Sequence, residues 1–253
     1  MAQPTFAAGL ASDANRLLQT KARHPVFLSR GYGGRLEGPL AVNPAKHSPE
    51  DCGDEPLLLA GIAPTVLARD RVKGAELAST LGTVIIMDDG LQNPSLVKSL
   101  AFAVLDGQVG IGNGLCVPAG PMRAPIEDQY PLTDALIVIN PGQADIPHPR
   151  GKPVFTGRLV ADPEDASLLA GQNVIAVAGI GRPEKFRETL QAIGAIICDL
   201  KAFPDHHAFT RSEIEALVRE SERCKTQLVT TSKDHVRIKA IAPDLAQRFL
   251  VLN

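Results

Sequence analysis

The chain has 253 residues, enough for one large α/β domain or two modest lobes to bury a core without disulfide or metal support. Its 26 basic residues nearly balance its 28 acidic residues, which excludes a generally basic nucleic-acid-binding protein. The hydrophobic fraction of 44% excludes a disordered chain, and the four cysteines form no CxxC pair, as is typical of a reducing compartment.

Apolar runs of strand length alternate with stretches of helical spacing. In chain order, the sequence predicts a helix at 7–18, a strand at 26–28, a helix at 69–80, strands at 84–87, 102–105, 135–139 and 174–178, a helix at 184–192, a strand at 195–197, a helix at 212–221, and strands at 227–231 and 249–252. The strands are apolar on both faces, as a parallel sheet covered by helices requires, so we expect an α/β fold.

A segment rich in proline and glycine divides the chain. Residues 140–153 contain four prolines and two glycines and predict a connection, at 141–153, between a core of residues 1–140 and a smaller C-terminal α/β lobe of residues 154–253. No apolar run approaches the roughly 20 residues of a membrane-spanning helix. The N-terminus lacks the basic start of a signal peptide, so we expect a cytoplasmic protein.

Two adjacent carboxylates, Asp88 and Asp89, directly follow the predicted strand at 84–87. The carboxyl ends of parallel strands face the crevice in which α/β proteins bind ligands, and hard cations such as Mg²⁺ prefer carboxylate oxygens. An ordinary Asp-Asp-Gly turn is the alternative. The position therefore indicates a candidate metal site.

Two arginines lie in segments suited to anion binding. A glycine-rich turn at 29–34 follows the first strand, and its backbone amides together with Arg30 are suited to a phosphate group, although such a turn often has no ligand. Arg123 ends a long glycine- and proline-rich loop. Long loops in compact domains tend to be functional, so Arg123 is a second candidate anion contact.

Acids and histidines in three further segments have simpler alternatives. The loop sequence Asp205-His206-His207 contains an acid–imidazole pair of the kind that orients a general base, but an exposed loop explains it equally well. Asp54, before an apolar helix start, is most simply a helix cap. Lys233-Asp234 could contact a nucleotide, but a solvent-exposed helix start is favoured.

Taken together, eight motifs occur in one order along the chain: SRGYGG (29–34), GDEP (53–56), DDGLQ (88–92), VLDG (104–107), GNG followed by PAGPMR (112–123), AGIGRPEKF (178–186), DHH (205–207) and TSKD (231–234). In this order and spacing the sequence resembles the tetraacyldisaccharide 4′-kinases, the lipid A kinases of Gram-negative bacteria. The resemblance extends over nearly the whole chain.

The resemblance implies a P-loop-NTPase-like parallel sheet flanked by helices, and transfer of the ATP γ-phosphoryl group to the 4′-hydroxyl of a tetraacyldisaccharide 1-phosphate. The implied catalytic residues are Asp54, as base, and His206, which assists it. The implied Mg²⁺ ligands are Asp88 and Asp89, and the substrate-binding residues are Arg30 and Arg123. ATP and Mg²⁺ are the implied cofactors. The implied partners are the lipid A disaccharide precursor and the cytoplasmic face of the inner membrane, where the protein is expected to be peripheral, with no nucleic acid.

The sequence departs from the family where phosphate is bound. A P-loop is expected just before Pro4-Thr5, but Met1-Ala2-Gln3 stands there and no Gly-Lys-Ser or Gly-Lys-Thr occurs in the sequence. Because a P-loop cradles the β- and γ-phosphates, we expect little or no kinase activity from this chain and assign no P-loop cofactor residues. We also expect the family's N-terminal membrane-associated helix to be missing, and Ala124 stands where the family usually has an acid.

There are two alternatives to an active kinase. One is a non-catalytic remnant or a regulatory protein that binds the lipid disaccharide without turning over ATP. The other is an unrelated α/β hydrolase, which is set aside because the sequence has no G-x-S-x-G motif.

Overall fold

The computed structural model describes residues 13–252, and the chain forms two compact units. The first unit comprises the chain up to residue 45 together with 59–159, and the second comprises 46–58 together with the chain from residue 160. Each is built on parallel strands flanked by helices, which confirms the predicted α/β class. The connection expected at 141–153 lies within the first unit, because the strand that follows it, Val154–Gly157, pairs with Ala135–Ile139 of the same unit.

The described elements are numbered in chain order. The strands are β1 (Pro25–Ser29), β2 (Leu40–Ala41), β3 (Thr65–Leu67), β4 (Val84–Met87), β5 (Phe102–Asp106), β6 (Ala135–Ile139), β7 (Val154–Gly157), β8 (Asn173–Ala178), β9 (Ile196–Ala202), β10 (Gln227–Thr231) and β11 (Phe249–Leu252). The helices are α1 (13–20), α2 (Pro49–Cys52), α3 (Asp54–Ala60), α4 (Arg71–Ser79), α5 (Ile126–Gln129), α6 (Pro163–Leu169), α7 (Pro183–Ala192), α8 (Arg211–Cys224), α9 (Ser232–Ile241) and α10 (Pro243–Ala246).

The first unit contains two sheets. In one, the strand order is β2-β3-β1-β4, with only β2 antiparallel, and in the other β5, β6 and β7 are all parallel. Strand β1 is fully buried because Val26 and Leu28 face a cluster with Ala78 of α4, whereas Phe27 faces Leu59 and its neighbours. Burial on both faces fixes β1 as a central strand and brings the turn at 29–34 to its carboxyl end.

The second unit has a single parallel sheet with the order β11-β10-β8-β9. Side chains of β8 alternate between its faces: Ile175 and Val177 join one cluster, and Val174, Ala176 and Ala178 join another. Helices α8 and α9 supply residues to the first cluster, and α6 and α7 supply residues to the second. Helices therefore cover both faces, as strands that are apolar on both faces require.

Several short elements were not predicted from the sequence. Strands β2 and β3 are two and three residues long, too short to give a hydrophobic period, and β7 has only two apolar residues before Thr156 and Gly157. Of the predicted helix at 7–18, residues 7–12 lie outside the described residues, and 13–20 is helical. No helix within residues 13–252 has the length and hydropathy needed to cross a bilayer.

Candidate active site

In the first unit, the predicted metal ligands follow β4 at the carboxyl edge of the sheet. Strands β1 and β4 are parallel neighbours, and Ser29, the last residue of β1, donates a hydrogen bond from Oγ to Oδ2 of Asp88 at 3.2 Å. Successive strands β3 and β4 lie on opposite sides of β1, which makes the carboxyl end of β1 a topological switch point, where open α/β sheets bind ligands. Asp88 therefore lies where such a sheet binds its ligand.

Asp89 and Arg123 are brought together although 34 positions separate them. Arg123 Nη1 lies 2.6 Å from Oδ2 of Asp89, and both side chains are partly exposed. The backbone of Asp89 is left-handed, with φ of 52°. This conformation costs a non-glycine residue on the order of 1–2 kcal/mol, and such strained residues recur at functional sites.

Arg71, which no motif singled out, fixes the ends of these two strands. It is buried, and it donates from Nη1 to the carbonyl oxygen of Leu28 at 3.3 Å and from Nη2 to that of Asp88 at 3.1 Å. Burial lowers the pKa of Arg71 below its ordinary value, and the charges of Asp88 and Asp89 oppose this shift. Arg30, the other arginine of this region, is exposed.

The donor set at this edge suits a cation that a nucleotide brings with it. Asp88 and Asp89 offer carboxylate oxygens, and nucleotide-bound Mg²⁺ usually takes only one or two carboxylates, with phosphate and water as its other ligands. Nowhere in residues 13–252 do three or more His, Cys, Asp or Glu side chains gather into a metal-binding group. A cation bound here would therefore depend on the phosphates of its nucleotide.

In the second unit, the structure brings Asp54 and His206 together. Asp54 is the first residue of α3, but its carboxylate does not cap that helix. Instead, Oδ2 accepts hydrogen bonds from Nε of Arg237, at 3.0 Å, and from Nη2 of the same residue, and lies 3.3 Å from Nδ1 of His206. The side chain of Asp54 is only 8% exposed, whereas that of His206 is 52% exposed. A buried acid thus lies beside an accessible imidazole.

A second buried acid, Asp234, completes this cluster. Its carboxylate accepts hydrogen bonds from Arg237 Nη1 and from the backbone N–H of Gly179, each at 3.0 Å, and from Thr231 Oγ1 at 2.7 Å. Burial raises the pKa of Asp234 above its ordinary value, while these three donors stabilise the carboxylate. Gly179 leaves room for it, because a Cβ at this position would lie 3.0 Å from Oδ1 of Asp234.

The expectation that Lys233 and Asp234 form a solvent-exposed helix start is half wrong. Helix α9 does begin at Ser232, but both side chains are buried. Lys233 forms an ion pair with Glu55 at 3.3 Å, and Asp234 bonds to Arg237. Glu55 neutralises Lys233, and Asp234 neutralises Arg237. The first turn of helix α9 can therefore be buried.

The loop that carries His206 is held by its neighbour His207. The ring of His207 stacks on Phe203, with centroids 4.7 Å apart, and its Nε2 lies 3.2 Å from Oε1 of Glu213. His206 has a left-handed backbone with φ of 59°, and its N–H donates to the carbonyl oxygen of Gly179 at 3.2 Å. His207 therefore anchors the turn, and His206 is the histidine that faces Asp54.

These groups lie at the carboxyl ends of three parallel strands. Gly179 follows β8, His206 lies in the loop after β9, and Asp234 lies in the first turn after β10. In the order β11-β10-β8-β9, the chain changes direction across β8, which makes this edge a topological switch point as well.

Sequence reasoning singled out Asp54 and His206 but missed Arg237 as their shared partner. One signal was available: Asp234 and Arg237 are three positions apart in a helix and share a face with the buried Ile238. Charged residues on a buried helix face must have partners, but the sequence does not say which ones.

Comparison with known proteins identifies the family of this chain. The sequence matches the family described as tetraacyldisaccharide-1-P 4′-kinase over residues 11–253. It is 53% identical over 233 residues to the tetraacyldisaccharide 4′-kinase of Methylobacterium nodulans, which covers 90% of this chain and 69% of that protein. It is 54% identical over 233 residues to an enzyme of the same name from Methylorubrum extorquens, with 90% of this chain and 71% of that protein covered.

A solved structure is similar over almost the whole chain. It is a crystal structure of the "apo" form of LpxK from Aquifex aeolicus in complex with ATP, with a TM-score of 0.71 and 27% identity, covering 97% of this chain and 78% of that one. Sequence and fold therefore agree, and this chain belongs to the tetraacyldisaccharide-1-P 4′-kinase family, whose members are transferases of lipid A biosynthesis.

Proposed function

We propose that this chain transfers the γ-phosphoryl group of ATP to the 4′-hydroxyl of a tetraacyldisaccharide 1-phosphate. The observation that carries the proposal is the buried Asp54 carboxylate beside the accessible His206, at the carboxyl edge of the second sheet. An acid paired with an imidazole in such a position is suited to general-base chemistry. The names of the relatives supply the donor and acceptor.

In this proposal Asp54 is the base. The 4′-hydroxyl oxygen forms a bond to the γ-phosphorus while the bond from that phosphorus to the β–γ bridging oxygen breaks, and ADP leaves. The hydroxyl proton passes to the carboxylate of Asp54, with His206 assisting. Because phosphoryl transfer needs little covalent chemistry from the protein, the main task of these residues is to place the hydroxyl and receive its proton.

The residues of the first unit are proposed to bind phosphate and metal. Asp88 and Asp89 would hold Mg²⁺, which neutralises charge on the transferred phosphoryl group when it is bound. Ser29 orients the carboxylate of Asp88 through its hydrogen bond. Arg30 and Arg123 are proposed substrate contacts, since one guanidinium group can donate two parallel hydrogen bonds to the oxygens of one phosphate group.

We further propose that transfer by this chain alone is slow. The sequence contains no Gly-Lys-Ser or Gly-Lys-Thr, and removing even one group that stabilises transition-state charge commonly costs about 10²–10³ in rate. Ala124, which stands where the family usually has an acid, favours the second candidate, a protein that binds the lipid disaccharide without transfer. In either case the lipid precursor places the protein at the cytoplasmic face of the inner membrane.

The test compares two forms of the chain for transfer of radiolabelled γ-phosphate to tetraacyldisaccharide 1-phosphate. One is the chain itself, and the other carries, before Pro4, the P-loop segment that the resemblance implies for the family. We expect transfer in the chimera, its loss in Asp54→Asn, and no change in Asp244→Asn, which removes an exposed acid paired with Arg211. Transfer that survives Asp54→Asn refutes the assignment of the base, and a chimera that binds lipid without transfer supports the second candidate.

A further inference from the structure

Arg237 contacts four groups at the carboxyl edge of the second sheet: Asp54, Gly179, Asp234 and His206. A guanidinium has five N–H donors, and here each has one acceptor. Nε and one hydrogen of Nη2 donate to Oδ2 of Asp54. Nη1 donates to Oδ1 of Asp234 at 3.0 Å and to the carbonyl oxygen of Gly179 at 3.1 Å. The second hydrogen of Nη2 faces Nδ1 of His206 at 3.1 Å.

The guanidinium is buried between two acids. The side chains of Arg237 and Asp54 are each 8% exposed, and that of Asp234 is fully buried. Burial by itself lowers the pKa of Arg237, but the carboxylates of Asp54 and Asp234 outweigh this effect and hold the pKa above its ordinary value. The five donors are therefore permanent, and the groups that face them must accept.

Because Arg237 can only donate, Nδ1 of His206 must accept its hydrogen bond and so carries no hydrogen. A hydrogen bond from Arg237 needs the lone pair of Nδ1, so the hydrogen of the neutral imidazole must be on Nε2. The 3.3 Å contact between the same Nδ1 and Oδ2 of Asp54 is a hydrogen bond only when Nδ1 carries the hydrogen. Arg237 and Asp54 therefore favour opposite tautomers. Only the Nε2–H tautomer satisfies the fifth donor of Arg237.

The two oxygens of Asp54 are also distinguished. Within residues 13–252, both hydrogen bonds accepted by this carboxylate, and its contact with His206, are made by Oδ2. Oδ1 is thus left as the oxygen with a lone pair available for a proton.

We propose that Arg237 is a positioning residue for Asp54 and His206. It holds Oδ2 of Asp54 so that Oδ1 receives the hydroxyl proton, and it fixes His206 as the Nε2–H tautomer. His206 then presents an N–H donor from an exposed position and does not accept a proton from Asp54. The effect on catalysis rests on the proposed function, but the tautomer does not.

The tautomer is measured by two-bond ¹H–¹⁵N correlation spectra of the ¹⁵N-labelled full chain, at a pH where an ordinary imidazole is neutral. Of the six histidines, His206 is identified by the signals lost in His206→Gln. We expect the Nε2–H pattern in the protein and a shift toward Nδ1–H in Arg237→Gln and Arg237→Lys, because Asp54 becomes the main partner of Nδ1. Arg211→Gln, which removes an exposed paired arginine of the same unit, is the control and should change nothing.

An Nδ1–H pattern in the unaltered protein overturns the inference, and so does an Nε2–H pattern that persists in both Arg237 variants. The lysine variant keeps the positive charge, so it shows whether Arg237 sets the tautomer of His206 even if the glutamine variant does not fold.

Kinetics separate this inference from the proposed function. In whichever form of the chain transfers phosphate, we expect Arg237→Lys to lower kcat about 100-fold with little change in KM for the lipid, as misplacement of a catalytic group does. Guanidinium ion added to Arg237→Ala should restore part of the rate. Unchanged kcat refutes the positioning role even if the tautomer is as expected. If no form of the chain transfers phosphate, the proposed function fails, and the spectra still decide whether Arg237 controls His206.

Discussion

Replacing Asp54 with asparagine keeps the shape of the side chain and removes its charge, and we expect the second unit to become less stable. Catalytic carboxylates often lower the stability of their protein, so that neutralising them stabilises the fold. Here the opposite is expected, because Asp54 accepts two hydrogen bonds from the buried guanidinium of Arg237. Asp234 would remain as the ion-pair partner of that cation, with the charge of Asp205 as a weaker contribution.

The magnitude follows from the hydrogen bonds that change. An amide oxygen still accepts a hydrogen bond, and Asp234 still neutralises Arg237, so Asp54→Asn should cost about 1–2 kcal/mol. Arg237→Met leaves two buried carboxylates without their cation and should cost about 3–5 kcal/mol. The double variant has one carboxylate fewer to leave unpaired, so its cost should fall short of the sum by about 1–3 kcal/mol.

Hydrogen exchange followed by mass spectrometry is the suitable assay, because it reports on each unit separately and the chain has no tryptophan for fluorescence. Peptides from the buried strands β8 and β10 give the opening free energy of the second unit. Asp244→Asn is the matched control, because its pair with Arg211 is exposed and screened by solvent, so the opening free energy should hardly change. Increased protection in Asp54→Asn, or strictly additive single variants, would refute the reasoning.

Three further predictions concern single residues. Burial, followed by the charges of the adjacent acids, raises the pKa of Cys52 from 9.0 to about 11. The folded state then binds more protons than the unfolded state between these values, so stability should fall by up to about 1.4 kcal/mol per pH unit as pH rises through this range. In Cys52→Ala, denaturant titrations should show a smaller slope with pH, and an equal slope would contradict the assignment. Gly38→Ala should destabilise the first unit by more than about 2 kcal/mol in the same titrations, since φ is 73° and a Cβ would lie 2.0 Å from the carbonyl oxygen of Leu67. Gly151→Ala is the control, with the same φ and open space, and an equal loss there would contradict the steric argument. Thr210→Ala removes the side-chain cap of α8 and should lower thermal stability by about 1 kcal/mol, whereas Thr210→Ser should keep it.

Features that depend on local pattern could be predicted from the sequence. Strands such as β1, β4, β8 and β10 are apolar on both faces, and this pattern by itself indicates a parallel sheet between helices. An acid that directly follows such a strand lies at the carboxyl edge in any α/β sheet, so the place of Asp88 followed from its position in the chain. His206 was singled out differently, as part of an acid–imidazole pair in a predicted loop. The metal-binding and catalytic roles of these residues stay predictions.

Features that depend on distant partners needed the tertiary structure. Strand β3 is too short to be recognised alone and exists because it pairs with β1. The sequence contains nothing that assigns residues 46–58 to the second unit. Asp54 and Arg237 are 183 positions apart. Taken separately, the motif of Asp54 suggested a helix cap, and the motif at 231–234 suggested a solvent-exposed helix start.

The sequence by itself thus determined the fold class, because hydrophobic period is a local property, and the order of its motifs indicated the family to which the chain belongs. Only the tertiary structure decided which charge neutralises which, because a buried ion is tolerated only when folding brings a counter-charge to it, wherever in the chain that partner lies.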